Sequence, residues 1–116
     1  MALTQLAKSR WQDYFDHVSK ALPTKLVEVE VAGLGLGDQV EVDWLPLLGL
    51  SYDPKDDVLT VMVEGIEHNI WHPKQIHVDQ DVESLHSMEV VDAAGEHHIL
   101  LLKDPLRLPP PSEGSR

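Results

Sequence analysis

Leu26-Val-Glu-Val-Glu-Val31 alternates strictly, with Val27, Val29 and Val31 on one side of an extended chain and Glu28 and Glu30 on the other. A period of two is that of a pleated strand with one wet face. Further along, Val40, Val42 and Trp44 against Gln39, Glu41 and Asp43 repeat the pattern and assign Trp44 to the valine face, in the core. Gly33-Leu-Gly-Leu-Gly37 between them can supply the positive backbone angles of a turn or bulge. Residues 47–52 and 58–63 read as a hairpin around Asp53-Pro-Lys-Asp-Asp57, where Pro54 suits the first inner position of a type I turn and Asp53 can bond to backbone beyond it. Val58-Leu-Thr-Val-Met-Val63 is apolar on both faces, which predicts a central strand covered on each side. Further strands are expected at 67–72, 75–78, 85–91 and 97–103, the last two joined through Ala93-Ala-Gly-Glu96.

Before Leu26 the period is different. Ala7, Trp11, Tyr14, Phe15, Val18 and Leu22 recur at the three-and-four spacing that gathers side chains on one stripe of a helix. Ser9 followed by Gln12 fits a capping box and Pro23 closes the far end, so the expected helix runs over 10–21. Its stripe is the cover available to the sheet. The elements together predict a single α+β domain over residues 1–107: an N-terminal amphipathic helix packed on a curved antiparallel sheet or small barrel of six to seven strands. A flat antiparallel sheet with the helix on one side is the alternative. Residues 108–116, with Pro109-Pro-Pro111, read as a Pro-rich flexible tail.

The 116 residues carry 9 Lys and Arg against 20 Asp and Glu, a net charge of −11. The imbalance is uneven, because residues 1–25 hold four bases against two acids while 26–105 hold three against seventeen. Such a body repels polyanions, which argues against nucleic acid and anionic membranes as partners. No apolar run of about 18 residues is present to span a bilayer, and the opening residues lack a secretory signal, so a soluble intracellular protein is expected. With no cysteine, thiolate metal sites, disulfides and cysteine nucleophiles are excluded.

Histidines at 17, 68, 72, 77, 86, 97 and 98 are then the softest ligands in the chain. His68 and His72 share a face of an extended segment but lie about 13 Å apart at ~3.3 Å per residue, too far to share an ion without a bend. His97 and His98 point to opposite faces. A metal site therefore needs different strands, with His72 and His77 brought together by the bend at Pro73 and Asp79 as an oxygen ligand. Other motifs carry less. Gly33, Gly35 and Gly37 do not have dinucleotide-loop spacing and precede a strand. Ser51 lacks the second glycine of a nucleophile elbow, and Asp53, Asp56 and Asp57 lack the order of an EF-hand loop. Trp71 is either buried under the helix or tail, or an exposed contact beside His68, His72 and Lys74, of the kind enriched at interfaces.

The Trp-x-x-x-Phe-Asp segment from Trp11 to Asp16, Leu45-Pro-Leu-Leu-Gly-Leu-Ser-Tyr-Asp-Pro-Lys-Asp-Asp57, and His72-Pro-Lys-x-Ile76 followed by Val78-Asp79 supply a resemblance. Through them nearly the whole chain resembles an uncharacterised family of small bacterial proteins classed as a domain of unknown function. The resemblance implies a bacterial cytoplasmic setting and no catalytic residue. The leading expectation is a non-enzymatic protein-binding or adaptor domain, with Trp71, His72 and Lys74 as the contact region. Its partner is another protein or a second copy joined through a strand edge, without cofactor, nucleic acid or membrane. The first rival is a metal- or small-ligand-binding protein using His68, His72 or His77 with Asp79, and the second a hydrolase with acidic catalysis.

Overall fold

The structure is a computed structural model that describes residues 3–21, 25–33, 37–81 and 85–104. Its strands are β1 (Thr4–Gln5), β2 (Lys25–Gly33), β3 (Gly37–Asp53), β4 (Val58–Val63), β5 (Ile66–Trp71), β6 (Pro73–Gln80), β7 (Leu85–Asp92) and β8 (His97–Lys103). They form one antiparallel sheet in the order β1-β6-β7-β8-β2-β3-β4-β5. A 3-10 turn at Lys8–Arg10 leads into the helix α1 (Trp11–Ala21). Among the described residues no helix is long and apolar enough to cross a membrane.

The α+β expectation holds, but the strand count is eight rather than six to seven. β1 has only two residues, too few to show any alternation, and it is specified by its pairing with His77 and Val78 of β6. The two segments expected at 39–44 and 47–52 are one bent strand of 17 residues. Its bend comes from a bulge: Val27 and Val29 of β2 pair with Leu45 and Val42, so β3 advances three residues where β2 advances two. Trp44 lies in this bulge with φ 53°. It is half-exposed rather than core, with Lys103 Nζ 4.0 Å above its ring. Val40 is likewise exposed, leaving Val42 the buried member of that expected face.

The sheet is rolled. A single residue, His72, separates β5 from β6, although the two strands lie toward opposite ends of the order. His68 of β5 touches His98 of β8 across the curl, with three strands between them along the sheet. Both the flat sheet and the closed barrel are corrected by this arrangement, since the sheet curls but keeps β1 and β5 as edges. β4 is penultimate rather than central. Leu59, Val61 and Val63 are buried on its inner face, whereas Thr60 and Met62 remain half-exposed.

The helix stripe fills the curl. Trp11 and Phe15 are buried among Val29, Leu50, Leu59 and Leu100, and Tyr14 and Val18 pack at the margin. Each large apolar side chain buried this way contributes roughly 1.5–3 kcal/mol before entropy. Ser19 Oγ accepts the Leu50 N–H at 2.9 Å and donates to the Leu50 carbonyl at 2.7 Å, fastening α1 to β3, while the Tyr14 hydroxyl donates to Gln80 at the end of β6. The expected capping box is not the start used. The 3-10 turn begins after Ala7, which has no side-chain cap, and Ser9 lies inside the turn. Leu22, Pro23 and the expected tail over 108–116 lie outside the described residues.

Candidate functional site

At one end of the curl, the His72 corner meets the β7–β8 turn, and an open cleft of about 510 Å³ lies between them. Asn69, Trp71 and His72 form one wall, and Asp92, Glu96 and His98 form the floor and the other wall.

The floor follows from the turn. Asp92 ends β7, and its Oδ1 accepts the N–H groups of Ala94 at 3.0 Å and Glu96 at 2.9 Å, the side-chain mimicry of a turn for which Asp is suited. Gly95, at φ 84°, closes the loop. The carboxylate is thereby held with Oδ2 2.9 Å from His98 Nε2, and His98 Nδ1 lies 3.0 Å from His68 Nε2. Asp92, His98 and His68 form a chain of carboxylate and two imidazoles in which His98 is 5% exposed. Burial pushes the Asp92 carboxyl up, but the hydrogen bonds from His98, Glu96 and Ala94 outweigh it and leave the group below the usual carboxylate range. Burial, then the neighbouring His98, hold His68 below the usual imidazole range, against the opposite pull of Glu41. An ionised Asp92 accepts only, so His98 Nε2 carries a proton and donates to it.

The corner is held by a second network. Tyr52 donates to Asp57 Oδ1 at 2.6 Å, His72 Nδ1 lies 3.3 Å from Asp57 Oδ2, and Lys8 Nζ lies 3.9 Å from Oδ1. The Tyr52 bond is the largest reason that Asp57 titrates below the usual carboxylate range, and burial with that bond pushes the Tyr52 hydroxyl up to about 12. Backbone bonds from His72 N to Asp57 O and from Ala93 N to His72 O fix the corner in place. His72 has φ 56°, a left-handed conformation that costs a non-glycine residue roughly 1–2 kcal/mol. A histidine kept at a position that favours glycine, facing a cleft, marks a functional candidate.

Trp71 is 56% exposed while Ile70 is fully buried, so the tryptophan side faces outward here. His72 and Lys74 are exposed next to it. The structure does not bring His72 and His77 together. His72 turns to Asp57, and His77 and Asp79 lie on the outer face of β6, where His77 Nδ1 and Asp79 Oδ1 are buried without a hydrogen-bond partner. His68 is redirected to His98. Among the described residues, the donors that do converge are Asp92, Glu96 and His98, one from each lying within 4.8 Å of the others. None of the three was singled out as a ligand from sequence. The available signal was His98 itself, which shares the inner face of β8 with Leu100 and Leu102 and therefore had to be buried with a partner.

The family model of a family of unknown function (DUF5335) matches residues 2–111. The chain is 46% identical to an uncharacterized protein of Aquifex aeolicus (strain VF5) over 110 residues, covering 94% of this chain and 99% of that protein. No solved structure matches the chain.

Proposed function

The chain belongs to this family of unknown function, and we propose that it acts as a non-enzymatic binding domain of the bacterial cytoplasm, seating part of a partner protein in the cleft between Trp71-His72 and the Asp92–Glu96 turn. The observation that carries the reading is the buried His98 bonded through both ring nitrogens at the floor of a cleft walled by an exposed tryptophan. An apolar residue at position 98 would serve the core at lower cost, because every buried polar atom must be matched. Supporting it, β5 is an edge strand whose outer side can accept an added strand, and Lys74 is exposed just past the His72 corner, at the start of β6.

The test is affinity capture from the native host's lysate at moderate salt, comparing wild type with a Trp71→Ala/Lys74→Glu double variant by quantitative mass spectrometry. A partner held by wild type and lost by the double variant is expected. Equal retention by both, or no capture beyond the bait, overturns the reading. His72→Gly supplies a second arm. It relieves the left-handed strain while gaining the ~0.5–1 kcal/mol entropy cost of glycine, so stability should stay within about 1 kcal/mol while partner capture falls. A loss of stability above about 2 kcal/mol would make His72 a folding residue instead.

A further inference from the structure

The geometry points to a divalent transition-metal site at the floor of this cleft, with His98 Nε2 and carboxylate oxygens of Asp92 and Glu96 as ligands and His68 as the group that orients His98. It rests on the reading of the cleft as a binding site and names an ion that the site would hold. One imidazole and two carboxylates form a set suited to first-row metals such as zinc, manganese or nickel, and the chain has no thiolate to compete. The three donors lie within 4.8 Å of one another, and ligands at the usual ~2.0–2.2 Å from zinc must stand closer than that. The closure falls to Glu96, which is half-exposed and sits at the end of the turn.

Three details support a built site. Asp92 and His98 side chains are 10% and 6% exposed, so two of the three donors are fixed before any ion arrives. Asp92 Oδ1 is committed to backbone N–H groups, which leaves Oδ2, 2.9 Å from His98 Nε2, as the oxygen that an ion would share with that nitrogen. The stem of Glu96 lies against Gly33, where a Cβ would stand 3.1 Å from Glu96 Cγ, so a residue without a side chain makes room for this ligand. The ion's remaining positions open to Asn69 and Trp71, where the proposed partner would enter.

In the empty site His98 Nε2 carries the proton donated to Asp92. Metal binding takes the His98 Nε2 lone pair, so that proton leaves Nε2, moving to Nδ1 in a neutral ring or to solvent from a doubly protonated one. In the filled site His98 donates from Nδ1 to His68 Nε2, and His68 serves as the hydrogen-bonding partner that ligating histidines require on their second nitrogen. A structural His98–Asp92 bond alone keeps the proton on Nε2.

The experiment titrates the full chain with Zn²⁺ alone, read by calorimetry and by histidine ¹⁵N NMR, with Mg²⁺ as control. Expected are saturable 1:1 zinc binding, loss of the proton from His98 Nε2, and no matching effect of Mg²⁺. Glu96→Gln should weaken zinc binding at least about tenfold, and His68→Ala about 10–100-fold, while His68→Gln, whose amide oxygen can accept the His98 Nδ1–H, should recover most of the affinity. Zinc shifts confined to His17, His86 or His97, a His98 Nε2 that keeps its proton, or equal affinity in Glu96→Gln would each overturn the site. Glu96→Gln lies on the exposed side of the turn, so its effect is readable even if variants of His98 fail to fold. The arms also separate the two claims: partner capture that survives a chelator, with no zinc binding, removes the metal and leaves the binding domain.

Discussion

Replacing Trp11 with alanine removes the largest side chain of the core, and its cost can be worked from its surroundings. The indole is 1% exposed, stands edge-on to Tyr52 with ring centroids 5.1 Å apart, and donates from Nε1 to the Leu6 carbonyl at 3.1 Å. Truncation of a buried tryptophan costs about 3–5 kcal/mol, within which the aromatic pair accounts for roughly 0.5–1.5 kcal/mol. Against a typical total of about 5–15 kcal/mol, this is about a fifth of the stability or more. At about 3–6 °C per kcal/mol for a domain of this size, the melting temperature should fall by roughly 10–30 °C. Urea denaturation followed by circular dichroism measures the loss directly, and an unchanged m value would confirm that the same surface unfolds. The other tryptophans are internal controls. Trp71→Ala, at an exposed position, should stay within about 0.5 kcal/mol. Trp44→Ala loses a cation–π contact with Lys103 worth about 0.5–1 kcal/mol, so it should cost far less than Trp11. A loss below about 1 kcal/mol for Trp11→Ala, or a Trp71→Ala loss equal to it, would refute the helix as the filling of the curl.

Two further perturbations test how the pieces are joined. Ser19→Ala leaves the Leu50 N–H and carbonyl without their helix partner and should cost about 1–3 kcal/mol by chemical denaturation, a loss under ~0.5 kcal/mol showing that water replaces the hydroxyl. The Tyr52–Asp57 bond should make stability sensitive at both ends of the pH scale. Asp57 titrates below its ordinary 3.8 in the fold, so its contribution is complete above that value and is lost as pH falls through the folded value. Tyr52, raised from 10.0 to about 12, loses its contribution as pH rises between those values. Melting temperatures of wild type and Tyr52→Phe should therefore differ most at neutral pH and converge toward both extremes, and a constant gap across pH would remove the bond as the cause.

The helix and most strands were legible because burial imposes a period on them: Trp11 and Phe15 face the core as the stripe requires, and Val27, Val29 and Val31 are buried as the alternation requires. Trp44 was misassigned because a bulge adds a residue and ends the alternation there, and no local signal marks it. β1 could not be read because its two residues owe their conformation to β6 alone. The bend expected at Pro73 lies one residue earlier, at His72, and the preference of a residue before proline for extended backbone does not give its left-handed φ of 56°. The convergence of His68 with His98 depends on the curl of five neighbouring strands, a property of the whole sheet that spacing along one strand does not contain.

The place of β2 between β3 and β8 sets the order in which this molecule can be made. Leu26 pairs with Lys103, so a central strand waits for its second neighbour until β8 has been made. A chain emerging from the ribosome would hold α1 and the β2–β5 meander as an unclosed half, with the β2 edge unpaired and its inner valines uncovered. Pairing across so long a separation is slow to nucleate, and the half-built sheet is the species in which mispairing between neighbouring chains would begin. The acidic side chains Glu28 and Glu30, alternating along that waiting edge, would repel a second copy of the same strand during the interval.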